Sequence, residues 1–328
     1  MNRQLILTQP IAKPDLAIPD DEWQNYSPAN QAFAEFIYEV FDYFSLVINE
    51  KLKWQVEDVK VNQGSNNLVI RFTYRQEIYL FRVPKFGQSQ LKNYMRASRL
   101  VSHHHFFPEC IYIDGRCMIE RFVVGNQLTS ASTITAYIKL AQCLSQLHSQ
   151  EGKGYGLLLM ANQGASLNIA DYYLATSATY WESLAPLFQD QQPAYQALTL
   201  LWQQKLTAVN ASSTSSPVVC HGDLWQANLI YNEEHGQLKL IDWDTCGIYH
   251  REKDLHFLLD EKISPACKQA FFEHYPHPVD DQLMAWFRLT IKGLYFIEPH
   301  LNQRITAMNH FLKVMGSNEK FNAEQVQE

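Results

Sequence analysis

Long apolar runs are missing from this sequence of 328 residues, in which no stretch approaches the ~18 apolar residues needed to cross a bilayer. The amino terminus also lacks the apolar segment of a secretory signal peptide. The six cysteines include no C-x-x-C pair, and their scatter is typical of a reduced protein. We therefore expect a soluble, cytoplasmic protein that has no membrane partner.

An excess of positive charge is missing as well. The net charge of −7 argues against nucleic acid as a partner, because surfaces that follow phosphates are usually basic. It is compatible with a cationic small substrate, and equally with a surface charge that serves only solubility. What the sequence does contain is 46% apolar and 19% charged residues, a globular composition. Neither figure indicates an oligomeric state.

Three regions follow one another along the chain. Residues 1–54 are predicted to form a proline-containing arm and then an amphipathic helix from Asn30 to Lys53. Residues 55–122 carry alternating apolar residues, turn clusters and one helical segment, which predict a small antiparallel sheet lobe. Residues 123–328 are predicted to form a larger, mostly helical lobe. The fold class is therefore α+β with two lobes.

The individual elements rest on apolar periodicity and on turn residues. Strands are expected at 59–61, 68–72, 78–83, 110–113, 116–122, 218–220, 229–231 and 238–241, and helices at 91–101, 134–148, 172–188, 195–209 and 265–315.

The segment from Val218 to Leu259 carries the most specific pattern. A short apolar strand enters a loop with His221, Asp223 and, five residues later, Asn228. Two further strands follow, joined by a turn, and the second of them runs into Asp242. This order predicts that the three oxygen-bearing side chains of Asp223, Asn228 and Asp242 lie at neighbouring loop ends.

Phosphoryl transfer to a hydroxyl needs such a set of groups. A carboxylate accepts the proton of the attacking hydroxyl, a task that suits Asp223. Magnesium prefers a few hard oxygen ligands, a task that suits Asn228 and Asp242. Asp and Asn are also common in turns, and His-Gly-Asp alone is weak support. The full run, His-Gly-Asp-x-x-x-x-Asn with two strands and then Asp-Trp-Asp, is much rarer and favours the catalytic interpretation.

At these residues the chain resembles the aminoglycoside phosphotransferase and choline kinase-like family, which is distantly related to the protein kinases. The matching motifs are His221-Gly222-Asp223 with Asn228, Ile241-Asp242-Trp243, and Asp254-Leu255 after Gly247. The resemblance implies a protein-kinase-like fold, a small-molecule kinase activity and the use of ATP (or GTP) with Mg²⁺. It also implies that Asp254 braces the catalytic loop. Residues 1–54 are not covered by it.

The resemblance also gives roles to the sheet lobe. Gly64, Ser65 and Asn66 would form the turn over the nucleotide phosphates, although an ordinary hairpin turn fits these residues equally well. Arg82 would be the cation that holds the phosphates, with Lys85 as the alternative.

The family usually pairs that cation with a Glu on the next helix, and no acidic residue occurs between Glu77 and Glu109. What orients Arg82 is therefore left open. The strand that includes Glu120 and Phe122 would meet the nucleobase through its backbone.

The acceptor is expected to be a small molecule with a hydroxyl group, which aromatic and acidic side chains would hold if it is cationic. A sugar or another neutral compound is equally open. His221 is interpreted as a structural residue. A non-catalytic nucleotide-binding regulator is the alternative function. Candidate acceptor residues are Trp225, Asp244, Tyr249, Asp260, Glu261 and Trp286.

Overall fold

A computed structural model of the chain describes residues 28–63, 67–85, 88–129, 132–169, 171–172, 196, 200, 216–281, 283–284 and 287. The chain divides into two compact units. The first unit comprises residues 1–95 and 108–123, and the second comprises residues 96–107 and 124–328.

The first unit is built on an antiparallel sheet of five strands in the order β1-β2-β3-β5-β4. Its tight turns follow from sequence. Asp114 Oδ1 accepts hydrogen bonds from the backbone N–H groups of Arg116 (2.8 Å) and Cys117 (3.0 Å), which closes the predicted Asp-Gly hairpin. The strands are β1 Glu57–Gln63, β2 Asn67–Tyr74, β3 Glu77–Pro84, β4 Cys110–Ile113 and β5 Met118–Arg121.

A helix at the start of the described chain covers the sheet. Helix α1 (Pro28–Leu46) places Phe44 edge-on against Phe72 and Phe81, with ring centroids 5.3 and 5.1 Å apart. Edge-to-face pairs of this kind add about 0.5–1.5 kcal/mol each to the burial of the rings. The predicted helix therefore exists, but its last part, Val47–Leu52, is a π-helical turn that ends in the left-handed residue after it.

The second unit contains more strands than the sequence predicted. Its described residues form two sheets with the orders β11-β10-β6 and β8-β7-β12-β9, and the neighbouring strands pair in antiparallel fashion. Strands β6, β7, β8 and β12 were not predicted. The strands are β6 Asn126–Gln127, β7 Tyr155–Met160, β8 Gln163–Ser166, β9 Val218–Cys220, β10 Leu229–Asn232, β11 Gln237–Leu240 and β12 Gly247–Tyr249.

The remaining α-helices among the described residues are α2 (Ser89–Val101), α3 (Ile134–His148), α4 (Glu252–Leu255) and α5 (Pro265–His274). Helix α3 has the predicted bounds, and the Thr133 side chain caps it by accepting from the N–H of Ala136. The helices predicted at 172–188 and 195–209, and the part predicted beyond 287, lie almost entirely outside the described residues. Among the described helices, none combines the length and apolar character that a membrane crossing requires.

Candidate active site

The β10–β11 hairpin brings two of the predicted metal ligands together. Leu229 pairs with Leu240, so that the residues just before β10 and just after β11 are neighbours. The N–H of Ile241 donates to the carbonyl of Asn228 at 2.9 Å, and Asp242 follows directly. Asp242 adopts the left-handed conformation (φ 67°), which turns the chain sharply at the end of the strand.

Asp223 lies next to both of them. The side-chain amide of Asn228 donates through Nδ2 to the backbone carbonyl of Asp223 at 2.9 Å. Because the nitrogen is used in this way, the amide oxygen is the atom that Asn228 can offer to a cation. Asp242 is close enough to Asp223 to repel its negative charge. The structure thus brings together all three oxygen-bearing side chains, and a carboxylate with an amide oxygen fits the hard-ligand preference of Mg²⁺.

The loop that carries Asp223 is held from behind by the carboxylate of Asp254. One oxygen of Asp254 accepts from the N–H of His221 at 2.6 Å and the other accepts from the N–H of Gly222 at 2.8 Å. Gly222 has φ +89°, and a Cβ at this position would collide with the carbonyl oxygen of Thr245. Only glycine therefore fits the turn that precedes Asp223.

A buried hydrogen-bond chain supports Asp254 in turn. His148 Nε2 donates to Asp254 at 3.2 Å, so His148 Nδ1 is an acceptor and receives the hydroxyl hydrogen of Tyr275 at 2.6 Å. Burial on its own would raise the pKa of Asp254, but the hydrogen bonds from His148 and from the N–H of Gly222 hold it below its usual range. Asp254 is therefore an anion that binds the loop.

Cys220 lies close enough to His148 and Asp254 for the three residues to form a metal site. The hydrogen bonds described above, however, already use both ring nitrogens of His148 and both carboxylate oxygens of Asp254.

His221 connects the catalytic loop to the Asp242 segment. Its Nε2 donates to the carbonyl of Ile241 at 2.8 Å, and its ring lies 4.7 Å from the ring of Trp243. Trp243 is completely buried and donates through its indole N–H to Leu240. His221 thus contacts the backbone one residue before Asp242.

The electrostatics of Asp223 suit a proton acceptor. Burial raises the pKa of its carboxyl, the neighbouring Asp242 raises it further, and the positive charge of Lys253 opposes the rise. A base whose pKa lies closer to neutrality is a better match to proton transfer at working pH. Lys253 was not singled out from the sequence, because nothing in a pattern of charged residues marks one of them as buried.

In the first unit, the side chain of Glu120 orients Arg82. The guanidinium Nη1 lies 3.2 Å from Oε1 of Glu120, and both side chains are buried. The other carboxylate oxygen of Glu120 accepts from the hydroxyl of Tyr94 in α2 at 2.8 Å. The counter-ion thus comes from strand β5, and the helix contributes a tyrosine that holds it. Sequence reasoning placed Glu120 at the nucleotide through its backbone and missed this role of its side chain.

Replacing Glu120 with Gln is expected to weaken binding of a magnesium–nucleotide complex by about tenfold, or ~1.4 kcal/mol. The reason is that Arg82 would lose the charge that fixes its guanidinium. Isothermal titration calorimetry measures the change. Glu109→Gln is the matched control, since Glu109 forms an exposed ion pair with Arg121 at 3.0 Å in the same unit. Equal affinity in Glu120→Gln and in the control would contradict the prediction.

Only some of the other predicted site residues lie within the described part of the chain. Gly64, Ser65, Asn66 and Trp286 lie outside the described residues. Phe122 follows β5 and is 37% exposed.

Of the acceptor candidates, Trp225 is 53% exposed within the catalytic loop, Glu261 is exposed, and Asp244 and Asp260 are half-buried. The structure corrects the prediction that Tyr249 contacts the acceptor. Tyr249 is completely buried in β12, which lies between β7 and β9, so its ring has no surface to offer to an acceptor.

The model of the phosphotransferase enzyme family APH matches residues 59–287. This span covers more than half of the chain, and the protein belongs to this family. Two similar curated proteins are ethanolamine kinase 1 of Mus musculus and of Homo sapiens. The chain is 27% and 26% identical to them over 173 residues, which are 50% of this chain but 45% and 36% of theirs. The chain therefore matches less than half of the length of these relatives.

Solved structures show the fold. Choline kinase LicA from Streptococcus pneumoniae is similar with a TM-score of 0.62 at 17% identity, over 84% of this chain and 99% of that protein. The streptomycin–ATP complex of APH(2")-IIa is similar with a TM-score of 0.61 at 16% identity, over 87% of this chain and 97% of that one. The chain thus has the α+β, protein-kinase-like fold, as expected.

Proposed function

We propose that this protein is a small-molecule kinase that transfers the terminal phosphate of a nucleoside triphosphate to a hydroxyl group. The observation that carries the proposal is the convergence of Asp223, Asn228 and Asp242 at one end of the β10–β11 hairpin. A protein that only binds a nucleotide has no need of a proton acceptor beside two metal ligands. Membership of the phosphotransferase family supports the same reaction.

In the second unit, the proposed roles follow from the contacts. Asp223 accepts the proton of the acceptor hydroxyl and orients its oxygen toward the phosphorus. The amide oxygen of Asn228 and the carboxylate of Asp242 would hold Mg²⁺. When bound, the cation neutralises charge on the phosphate oxygens. Asp254 keeps the loop in place and has no contact with substrate in this proposal.

In the first unit, Arg82 is proposed to bind phosphate oxygens of the nucleotide. A guanidinium presents several N–H donors in a fixed plane, a geometry that suits phosphate oxygens, and Glu120 holds this guanidinium through Nη1. The proposed donor is ATP, because similar structures were solved with ATP or with AMP-PNP, and GTP is the alternative. The buried partner of Arg82 removes the reason for the regulator interpretation, which rested on the missing helix Glu.

The acceptor is proposed to be a small alcohol, such as an amino alcohol, an aminoglycoside or a sugar. Trp225, two residues after Asp223 in the catalytic loop, offers an exposed aromatic ring, and a ring of this kind binds the apolar side of a sugar or a cationic amine. The relatives named for ethanolamine and choline, and those named for aminoglycosides, make an amine-bearing alcohol the first class to test. We propose that the protein acts in the cytoplasm on such free small molecules, without nucleic acid or membrane partners.

A panel of amino alcohols, sugars and aminoglycosides, incubated with ATP and Mg²⁺ and followed by phosphorus NMR, tests the activity. We expect a phosphorylated product to form at a rate higher than that of ATP hydrolysis. ATP hydrolysis without acceptor but with Mg²⁺ is a second expected signal. Failure of both signals in folded protein that binds ATP would favour the regulator instead.

Replacing Asp242 with Ala is expected to weaken the binding of ATP in the presence of Mg²⁺ by at least about tenfold, because one of two proposed metal ligands is lost. Without Mg²⁺ the affinity should stay the same. Calorimetry with and without the metal separates the two cases. Glu234→Ala, which removes an exposed carboxylate from the far turn of the same hairpin, is the control. An unchanged magnesium dependence would remove Asp242 from the metal site.

A further inference from the structure

A buried lysine lies beneath the catalytic loop. Lys253, in the short helix α4, is 8% exposed and donates through Nζ to the carbonyl of Gly222 at 2.7 Å. The same ammonium lies 3.9 Å from the ring centroid of the buried Tyr249. Its whole environment is therefore protein: a carbonyl, an aromatic face and the nearby carboxylates of Asp254 and Asp223.

Burying an ammonium is unfavourable, and an apolar side chain would fill this space at lower cost. Burial accordingly lowers the pKa of Lys253, while Asp254 and Asp223 oppose that change. Packing alone therefore does not explain why a charged lysine occupies this buried position.

The contacts of Gly222 supply that reason. Asp254 accepts from its N–H and Lys253 donates to its carbonyl, so two consecutive residues hold both polar groups of one glycine. Glycine at φ +89° has few steric restraints of its own, and its conformation is set by such contacts. The carbonyl of Gly222 belongs to the peptide unit that ends at the Cα of Asp223. Fixing the plane of this peptide restricts the direction in which the Asp223 side chain leaves the backbone.

On the far side of the same residue, Asn228 Nδ2 binds the carbonyl of Asp223. The peptide units on both sides of the Asp223 Cα are thus held, one by Lys253 and the other by Asn228. Only the first of these two contacts comes from a side chain without a proposed substrate or metal role.

We propose that Lys253 is a positioning residue for phosphoryl transfer, holding the Gly222 carbonyl so that the Asp223 carboxylate points at the acceptor hydroxyl. The inference rests on the proposed kinase function. Lys253 touches neither the acceptor nor the nucleotide. Its effect should therefore appear in turnover and not in nucleotide affinity.

The first test is Lys253→Met, which keeps the length of the side chain and removes its donor and its charge. We expect kcat to fall about 10- to 100-fold, as for a misplaced catalytic group, while the Kd of Mg–ATP changes less than twofold. Lys239→Met is the matched control, because Lys239 also donates to a backbone carbonyl of the second unit, that of Phe107 at 3.0 Å. The control should keep the kcat of the wild type. An unchanged kcat in folded Lys253→Met, or an equal fall in the control, would overturn the inference.

The second test asks whether Lys253 acts through Asp223. In the Asp223→Ala background, Lys253→Met should lower the residual turnover less than twofold, because the group that it positions is gone. A further fall as large as in the wild-type background would overturn the inference.

Lys253→Gln, which removes the charge and whose amide nitrogen ends one bond short of the position of Nζ, replaces Lys253→Met if the latter does not fold, and the same fall in kcat is expected because the contact with the Gly222 carbonyl is lost. If neither variant folds, Lys253 is a folding residue and the inference fails. Absence of any turnover in the wild type would overturn the proposed kinase function together with this inference, whereas an active wild type with an equally active Lys253→Met overturns only the inference.

Discussion

Replacing Asp223 with Ala is expected to reduce phosphoryl transfer by about 10²- to 10⁴-fold, the usual contribution of a positioned general base. Asp223 is the half-buried carboxylate whose pKa is raised by burial and by Asp242, whereas Asp254, which also contacts this loop, uses its two oxygens to accept from backbone N–H groups. Binding of Mg–ATP should be nearly unchanged, since the base acts on the acceptor.

The measurement pairs steady-state kinetics with calorimetry on the same purified variant. Asp223→Asn serves as a second variant, because it keeps the shape and removes the ability to accept a proton. Glu234→Ala controls for the loss of one negative charge. Turnover close to that of the wild type in a folded Asp223→Ala protein would overturn the assignment of the base.

Replacing Asp254 with Ala is expected to have the largest effect on stability, about 3–5 kcal/mol of the free energy of unfolding. The change leaves the N–H groups of His221 and Gly222 and the ring N–H of His148 without their acceptor inside the protein. Turnover should fall as well, because the loop that carries Asp223 loses its support.

Chemical denaturation measures the stability change, and Tyr275→Phe provides the graded comparison. That variant removes only the hydroxyl at the outer end of the same chain of hydrogen bonds, which we expect to cost about 1 kcal/mol. A loss below 1 kcal/mol in Asp254→Ala would show that the carboxylate does not hold the loop.

Much of the fold could be predicted because its signals are local. The bounds of α3 follow from apolar spacing, and the β4–β5 hairpin follows from its Asp-Gly turn. Strand β7 was not predicted, and its sequence explains why. β7 reads Tyr-Gly-Leu-Leu-Leu-Met, with apolar residues on both faces and irregular pairing to β8, so it lacks the alternation that marks a strand.

The candidate site likewise contains residues that could be predicted from the sequence and residues that could not. The spacing of Asp223, Asn228 and Asp242 is a property of one short segment, and the hairpin that joins them is visible in the sequence. The partnership of Arg82 with Glu120 joins residues 38 positions apart in sequence, and pairing across a sheet sets it. The role of Lys253 depends on burial, and an assignment of charged residues to the surface predicts the opposite. Tyr249 was predicted wrongly as an acceptor residue because its aromatic ring belongs to a central strand.

The origin of the counter-ion for Arg82 bears on how activity can be controlled. In protein kinases the corresponding lysine pairs with a glutamate on a helix, and moving that helix turns the enzyme on or off. Here Arg82 and Glu120 lie on adjacent strands, with Leu80 opposite Glu120 and Arg82 opposite Met118, so the distance between them is set by the backbone ladder of the sheet. A rotation of α2 would release the hydroxyl of Tyr94 and leave the ion pair formed. We therefore expect an enzyme that is permanently competent to bind nucleotide, with a rate that follows the supply of its two substrates.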